Sequence, residues 1–285
     1  MRVDAHQHFW RYSKEEFSWI NDAMAAIRRD FLPADLRSVV EPCKVDATVA
    51  VQADQSLKET RWLLELAAAD DLIAGVVGWV PLVEDGIDAT LEKLSAHTRL
   101  RGVRHVLQAE PDAFMEQPEF DRGIAALKRH ALTYDLLVLE HQLPTATRLV
   151  DRHPEQPFVL DHLAKPLIAA GELEPWRTRI RELADRPHVC CKVSGMVTEA
   201  DFQRWVVADL RPYLDTVLEC FGPSRLMFGS DWPVCTVAAS YAQWMDVIEQ
   251  WIAPLSPDEQ SAILGRNADR FYNLNLTSEG SEASA

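Results

Sequence analysis

Two histidines near the amino terminus have the spacing of a catalytic or metal-binding pair. His6 and His8 close the run Val-Asp-Ala-His-Gln-His at residues 3–8, whose apolar start predicts a β-strand. Side chains two positions apart point to the same face of a strand, so both imidazoles can converge on one ion or one substrate oxygen. Neutral imidazole is a common metal ligand and the usual proton shuttle near neutral pH. Two half-buried structural histidines at a strand end are the alternative.

A carboxylate far along the chain is the second candidate. Asp231 directly follows an apolar run and precedes Trp-Pro. A carboxylate in this setting can accept a proton from water, or hold a metal ion that activates water. A helix cap is the alternative, but Pro233 and further apolar residues intervene before the next helix. His162 is the third candidate, with a hydrogen-bonded core histidine as its alternative, and strand alternation predicts that Asp161 points away from it.

The elements that must position these residues alternate between two patterns. Short apolar runs predict eight strands, at residues 2–8, 47–52, 73–80, 102–107, 136–141, 158–162, 188–194 and 226–230. Most runs are continuously apolar, which is typical of parallel strands covered on both faces. Segments with helical spacing lie between them. The segment 198–222 is predicted to hold two helical pieces broken near Pro212, and Ser256 with Glu259 predicts the start of a last helix that runs to about Phe271.

This alternation predicts an α/β protein with a single (β/α)8 TIM barrel domain over residues 1–274, followed by a disordered tail over residues 275–285. A doubly wound sheet is the alternative, although no Gly-x-Gly-x-x-Gly sequence opens a helix. In a barrel, the functional site forms where the strands end at their carboxyl side. Strand ends or the residues just beyond them carry further candidates for binding substrate: Gln52, Trp79, Arg104, His105, Glu140, His141, Gln142, Lys192, Trp10 and Trp232. Structural pairing with carboxylates is the alternative for Arg104 and Lys192, and packing is the alternative for the tryptophans.

Composition narrows the class of protein. The chain has 285 residues and a formal charge of −15, which argues against nucleic-acid and anionic-membrane partners. No apolar run approaches the roughly 18 residues of a membrane span, and the amino terminus lacks a signal-like apolar core. Its five cysteines show no framework spacing. We therefore expect a cytoplasmic protein without an organic cofactor, and its oligomeric state stays open.

Sequence motifs resemble those of the amidohydrolase superfamily. They lie in order at residues 4–10, 102–105, 159–166, 191–195, 228–233 and 267–272, and include Asp-Ala-His-Gln-His-Phe-Trp and Phe-Gly-Ser-Asp-Trp-Pro. The resemblance covers residues 1 to about 274. Within the superfamily the motifs are most similar to the branch of sugar-lactone lactonases, which includes L-fuconolactonases and L-rhamnonolactonases.

The resemblance implies that His6, His8, His162 and Asp231 form the catalytic centre, with Asp231 activating water. The chain departs from two-metal members, which use a bridging Lys or Glu and two later histidines, so we do not expect a binuclear centre. One zinc ion held by His6, His8 and Asp231, with or without His162, would match an open three-ligand site. A metal-free site is the alternative, because a lactone is a reactive ester.

The expected reaction is the opening of a sugar lactone, such as an aldonolactone, by attack of water on the carbonyl. Only Arg104 among the arginines sits clearly at a strand end, which favours a neutral lactone over a dicarboxylate one. Two other readings remain open at this stage. One is a zinc-dependent decarboxylase, or another amidohydrolase-type hydrolase, of a small carboxylic acid or cyclic substrate. The other is a barrel that binds a sugar without turnover.

Overall fold

One parallel sheet forms the centre of the protein. The computed structural model describes residues 1–276, and within them eight strands follow one another around the sheet in chain order. The strands are β1 (Val3–Gln7), β2 (Ala47–Val51), β3 (Ile73–Gly78), β4 (Leu100–His105), β5 (Thr133–Leu136), β6 (Phe158–Leu160), β7 (Val189–Val193) and β8 (Leu226–Phe228). Sequential order with parallel pairing is the topology of a (β/α)8 barrel, so the predicted fold is confirmed and the doubly wound sheet is wrong.

Helices cover the outside of the sheet. Residues 1–276 contain the α-helices α1 (Pro33–Val40), α2 (Leu57–Ala69), α3 (Ile87–Ser95), α4 (Pro118–Arg129), α5 (Leu143–Arg152), α6 (Trp176–Ala184), α7 (Val207–Phe221), α8 (Tyr241–Ile252), α9 (Pro257–Ser261) and α10 (Asn267–Tyr272). A π-helical turn, Ala262–Arg266, joins the last two into the predicted final helix. None of the helices in this part of the chain combines the length and apolarity needed to cross a membrane.

The barrel closes where β8 meets β1. A single bridge joins Gln7 to Trp232, flanked by a hydrogen bond of 2.7 Å from the His8 amide to the Trp232 carbonyl. The Asp231 amide donates to the His6 carbonyl at 2.8 Å. Two chain segments more than two hundred positions apart are thereby held side by side, with three candidate catalytic residues next to the seam.

A buried carboxylate below the seam reinforces this closure. The Asp4 carboxylate accepts hydrogen bonds from the Ser230 amide at 2.9 Å, the Ser230 hydroxyl at 2.6 Å and the Tyr241 hydroxyl at 3.1 Å. Burial raises the pKa of Asp4 to about 6, although these hydrogen bonds favour its ionised form. One side chain therefore ties β1 to the residue before Asp231 and to α8.

We expect Ser230→Ala to lower the free energy of unfolding by about 1.5–3 kcal/mol, because hydrogen bonds to a buried carboxylate are worth that much. Denaturant unfolding followed by circular dichroism measures the change. Ser38→Ala is the matched control, since the Ser38 hydroxyl donates only to the Asp35 carbonyl on the surface of α1. Equal losses in the two variants would contradict the role assigned to the Asp4–Ser230 contact.

The last helix fills the amino-terminal end of the barrel. Tyr272 of α10 packs with a cluster from the strands that includes Val3, Ala5, Val49, Val77, Val159 and Met227. Its hydroxyl lies 2.9 and 3.0 Å from the two carboxylate oxygens of Asp135 inside the barrel. The bottom of the barrel is thus closed by apolar packing, and the site has to open at the other end.

Three predictions about elements need correction. The fifth strand is Thr133–Leu136, so the prediction of residues 136–141 was wrong. The apolar residues 137–139 are buried after the strand, whereas the strand itself carries Asp135 inward. Helix α7 runs unbroken through Pro212, because the loss of one hydrogen bond near its start does not end the helix. Helix α1 was not predicted, since only Leu36 and Val40 of its eight residues are buried.

The other strands were predicted to within three residues at either end. The predicted tail covers residues 275–285. Near its start, the Leu276 amide donates to Asp269 at 3.0 Å, and residues 277–285 lie outside the described residues.

Candidate active site

Four side chains converge at the carboxyl end of the barrel. The Oδ1 atom of Asp231 lies 3.3 Å from Nε2 of His8 and 3.8 Å from Nε2 of both His6 and His162. The Nε2 atoms of His6 and His8 are 3.2 Å apart. All four residues are buried. The structure therefore brings together the residues that the sequence motifs pointed to, around one small polar space.

An irregularity in the first strand helps to place the two histidines. The register of β1 against β2 shifts by one residue between Asp4 and Gln7. Nδ1 of His8 lies 2.7 Å from the Val51 carbonyl. Because a carbonyl only accepts hydrogen bonds, Nδ1 of His8 must carry the proton when the ring is neutral. The Nε2 atom of His8 then presents a lone pair to the site.

His162 reaches the site through an unusual backbone turn. Residues 162–165 all have positive φ angles, between 50° and 58°. Each such non-glycine residue costs about 1–2 kcal/mol, so surrounding contacts must hold the turn. The Trp176 indole donates to the Leu163 carbonyl at 2.7 Å, and the Ser194 hydroxyl lies 2.9 Å from Nδ1 of His162.

This turn changes the direction predicted for Asp161. Its carboxylate lies within 3.4 Å of Nδ1 of His6, so Asp161 and His162 both face the site. The prediction that Asp161 points away was wrong because β6 ends at Leu160 and the strand alternation stops there. No local sequence signal shows a left-handed turn built without glycine.

We expect Gly195→Ala to displace His162 and lower kcat by at least about tenfold, since small misplacements of catalytic groups are costly. A Cβ atom on Gly195 would lie 2.5 Å from Nδ1 of His162, and Gly195 has a φ of +65° that favours glycine. Steady-state kinetics measures the loss. Gly171→Ala is the matched control, because Gly171 has a similar φ of +67° but open space around it. Equal effects on kcat would point to backbone strain instead of displacement of His162.

A network of buried charges lies beneath the histidines. Arg104 donates to Asp161 at 3.0 Å and to the carbonyl and side chain of Gln52. Lys192 contacts Asp135 and lies 3.0 Å from Asp161. Two cations and two carboxylates therefore balance one another in a space closed to water. Pairing with carboxylates, the alternative stated for Arg104 and Lys192, is what the structure contains.

Sequence reasoning missed three members of this network: Asp135, Asp161 and Tyr272. Asp135 lies within a strand that was predicted in the wrong place, and Tyr272 comes from the far end of the chain. Burial raises the pKa of Asp135 to about 6, although the Lys192 ammonium opposes that shift. One signal was available in the sequence: a lysine within the apolar seventh strand is expected to be buried, and a buried lysine requires a carboxylate partner.

The centre combines an ionised carboxylate, Asp231, with two imidazoles, His6 and His162, whose pKa values are lowered. Burial lowers the pKa of His162 to about 4, and burial together with Lys192 holds the pKa of His6 well below its usual range. Burial alone would raise the pKa of Asp231, but the neighbouring imidazoles, led by His162, bring it below its ordinary value. At neutral pH the arrangement is an ionised carboxylate facing imidazoles, which suits a base beside hydrogen-bonding groups.

Two further candidates pair with each other at neighbouring strands. The Trp79 indole donates to Nδ1 of His105 at 3.2 Å, and Nε2 of His105 lies 3.1 Å from Glu110. The His105 ring stacks on Phe114 at a centroid distance of 4.8 Å. Trp79 stays partly exposed after β3, so its ring is available to a ligand, whereas His105 is held by three neighbours.

The five remaining candidates for binding substrate have partners outside the four central side chains or are exposed. Trp10 and Trp232 are 0% and 2% exposed and pack in an aromatic cluster with Phe31. Glu140 pairs with Arg179 at 2.7 Å. In the same segment, His141 is exposed, and the Gln142 side chain donates to the carbonyls of Leu107 and Glu110. Within residues 1–276, none of these five side chains forms a hydrogen bond or ion pair with the four central side chains, although the Trp10 ring lies 6.5 Å from the His8 ring.

The donor set fits a single metal ion. One potential ligand atom each from His6, His8 and Asp231 lie within 4.8 Å of one another, and His6, Asp161 and His162 form a second such group. Zinc sites with catalytic roles use three protein ligands of these types and keep one position open. The free Nε2 lone pair of His8, facing the Asp231 carboxylate, is a place where a cation or a proton is favourable.

An eight-stranded barrel with this His-x-His pair, a further histidine and a carboxylate at the strand ends defines a class of hydrolytic enzymes. The chain belongs to the amidohydrolase family: the family described as Amidohydrolase matches residues 3–274.

Two relatives and one solved structure are more specific than the family as a whole. An L-fucono-1,5-lactonase of Burkholderia multivorans is 44% identical over 286 residues, covering 96% of this chain and 96% of the relative. An L-fucono-1,5-lactonase of Burkholderia ambifaria is 37% identical and covers 97% of both chains. A crystal structure of an amidohydrolase from Burkholderia multivorans with bound zinc has a TM-score of 0.91 at 43% identity, covering 96% of this chain and 99% of that one.

Proposed function

We propose that the protein is a lactonase that opens the ring of a sugar lactone, with aldonolactones such as L-fucono-1,5-lactone as its substrates. The observation that carries the proposal is the Asp231 carboxylate lying 3.3–3.8 Å from three imidazoles in a buried barrel mouth. The two relatives named L-fucono-1,5-lactonase, at 44% and 37% identity over nearly the whole chain, support the same activity.

In the first step, Asp231 accepts a proton from a water molecule while the water oxygen forms a bond to the lactone carbonyl carbon. The pKa of Asp231 lies below its ordinary value, so the carboxylate is ionised before the water attacks. His6, His8 and His162 surround the position of the developing oxyanion. His6 and His162 can present N–H donors there, whereas Nε2 of neutral His8 carries a lone pair because its Nδ1 donates to the Val51 carbonyl. Donors placed in advance stabilise the charge that develops in the transition state.

In the second step, the bond between the carbonyl carbon and the ring oxygen breaks. Asp231 returns its proton to the leaving ring oxygen, which becomes a hydroxyl group of the product. The product is an open-chain aldonic acid that loses its own proton to solvent. Asp231 ends ionised, as it began.

The charges at the centre favour a neutral substrate. Arg104 and Lys192 are the two cations that contact His6. Both are already paired with carboxylates, Arg104 with Asp161 and Lys192 with Asp135 and Asp161. A lactone carrying free carboxylates would need unpaired cations beside the reacting carbonyl. We assign stacking on the sugar ring to Trp79, whose ring is partly exposed, and a supporting role beneath the histidines to Gln52, Arg104 and Lys192.

Zinc, when bound, would be held by His6, His8 and Asp231, and would supply Lewis-acid polarisation of the carbonyl. Because a lactone carbonyl is electrophilic and the acid–base group is already in place, we propose that hydrolysis does not depend on the metal. The prediction is that protein treated with a strong chelator and freed of it keeps most of its kcat. Metal content measured on the same sample is the control, and loss of turnover restored by zinc alone would contradict metal independence.

The test of the proposed function is a panel of 1,4- and 1,5-aldonolactones, with acid release followed by a pH indicator. We expect hydrolysis of neutral aldonolactones, and none of dicarboxylate lactones. A zinc-dependent decarboxylase is not favoured, because both relatives above are named lactonases. It would be supported instead if every lactone were inert and an aromatic acid lost carbon dioxide only with zinc present.

A further inference from the structure

A lysine without solvent access lies directly beneath His6. The Lys192 side chain is 0% exposed, and its Nζ atom lies 3.1 Å from Nδ1 of His6. The same ammonium forms a hydrogen bond with Asp135 and an ion pair with Asp161. An ammonium group has three donors and no lone pair, so each of these contacts requires an acceptor on the other side.

The contact with Lys192 determines which nitrogen of His6 carries the proton. A neutral imidazole has one N–H and one lone pair, and the lone pair must face the ammonium. The competing arrangement would place the proton on Nδ1 and direct it to Asp161 Oδ1, 3.4 Å away. That oxygen already has the Lys192 ammonium 3.0 Å away as its partner, so it does not need the proton of His6. The proton of His6 therefore belongs on Nε2.

The opposite side of the ring leads to the same assignment. Nδ1 of His8 donates to the Val51 carbonyl at 2.7 Å, so Nε2 of His8 is an acceptor. It lies 3.2 Å from Nε2 of His6, and this contact is favourable when His6 donates. Nη1 of Arg104 carries two N–H groups: one donates to Asp161 at 3.0 Å, and the other faces Nε2 of His6 at 3.3 Å. A neutral ring has only one lone pair for these two cations, and the Lys192 contact, at 3.1 Å, is the shorter.

We propose that Lys192 is a positioning residue that holds His6 as its Nε2–H tautomer, so that the centre offers the reacting lactone a donor at His6 and an acceptor at His8. The catalytic part of this assignment rests on the proposed function. When the carbonyl oxygen becomes an oxyanion, the His6 N–H turns to it from His8, while Lys192 touches only protein.

The same tautomer opposes binding of zinc. A metal ion on Nε2 of His6 needs the lone pair there, which moves the proton to Nδ1 and against the Lys192 ammonium. Lys192 thus favours the hydrogen-bonding form of the site over its metal-binding form. Groups behind a ligand histidine commonly change metal affinity by about 10- to 100-fold.

A charge-balanced variant separates this role from general stability. Lys192→Met together with Asp135→Asn removes one cation and one anion from the interior. Nδ1 of His6 then faces only Asp161, which makes the Nδ1–H tautomer favourable. Tyr272→Phe is the matched control, since it removes a hydroxyl that contacts Asp135 but leaves Lys192 and His6 unchanged.

The first measurement is long-range ¹H–¹⁵N correlation spectroscopy of the metal-free protein with labelled histidines, which distinguishes a protonated ring nitrogen from an unprotonated one. The nine histidines are sorted by comparison with a His6→Asn sample. We expect Nε2–H for His6 in wild type and Tyr272→Phe, and Nδ1–H in the double variant. A Nδ1–H signal for wild-type His6 would overturn the proposal, and this result needs no variant of Lys192 to fold.

The second measurement is zinc affinity by competition with a chelating dye, followed by kinetics on the metal-free samples. The double variant is expected to bind zinc at least about tenfold more tightly. With a lactone that wild type hydrolyses, its kcat is expected to fall about 10²-fold with little change in KM, as for loss of an oxyanion donor. Equal changes in Tyr272→Phe would overturn the proposal. If no lactone is turned over, the proposed function fails, while the spectra and zinc affinities still decide the role of Lys192.

Discussion

Asp231→Asn is expected to lower kcat for lactone hydrolysis by about 10²- to 10⁴-fold, the contribution of a general acid–base group. The amide has the shape of the carboxylate but cannot accept a proton from water. It also keeps the backbone, because Asp231 has a φ of 57°, a conformation that asparagine tolerates well. Initial rates of acid release by wild type and variant measure the loss.

A change in fold must be excluded as the cause of this loss. Circular dichroism and the denaturation midpoint of Asp231→Asn should stay close to wild type. Asp201→Asn is the matched control, since the Asp201 carboxylate is exposed and pairs with Arg204 on the surface after β7. Turnover that survives in Asp231→Asn would show that another group activates water, and the mechanism given above would then be wrong.

Arg104→Met is expected to lower the free energy of unfolding by about 3–5 kcal/mol, the loss expected when one partner of a buried ion pair is removed. The guanidinium side chain is 4% exposed and donates to Asp161 and to Gln52. Removing it leaves part of the Asp161 charge unbalanced and two acceptors without their donor. Denaturant unfolding followed by tryptophan fluorescence measures the change.

The same substitution at an exposed ion pair is the control for this prediction. Arg37 pairs with Asp70 at 2.6 Å, but its side chain is 47% exposed. Exposed pairs contribute at most about 1 kcal/mol, so Arg37→Met should change stability little. If both variants lost the same stability, burial would not be the reason that the interior charges matter.

The fold and the centre were both accessible from sequence, for related reasons. Parallel strands covered on both sides must be continuously apolar, so most strands could be recognised one by one. The carboxyl ends of such strands meet at one end of a barrel. His6, His8 and Asp231 could be brought together because each lies at the end of a strand that was predicted to within two residues.

The fifth strand could not be recognised in this way. The burial of Asp135 depends on Lys192 and Tyr272, which are far from it in the chain but contact it in the structure. A strand with a charged inward residue does not look apolar, so the apolar run after it was chosen instead. The sequence therefore placed the end of the fifth strand at Glu140 and His141, whereas β5 ends at Leu136 and Glu140 pairs with Arg179.

The sequence by itself determined which residues can carry chemistry and that eight strands bring the two ends of the chain to one barrel mouth, because periodicity and residue type are local properties. Only the tertiary structure decided the direction of Asp161, the burial of Trp10 and Trp232, and the partners of Lys192. These depend on a left-handed turn after β6, on packing between loops, and on charges that balance across the barrel interior. Such properties arise from contacts between distant residues, and the tautomer proposed for His6 depends on the same contacts.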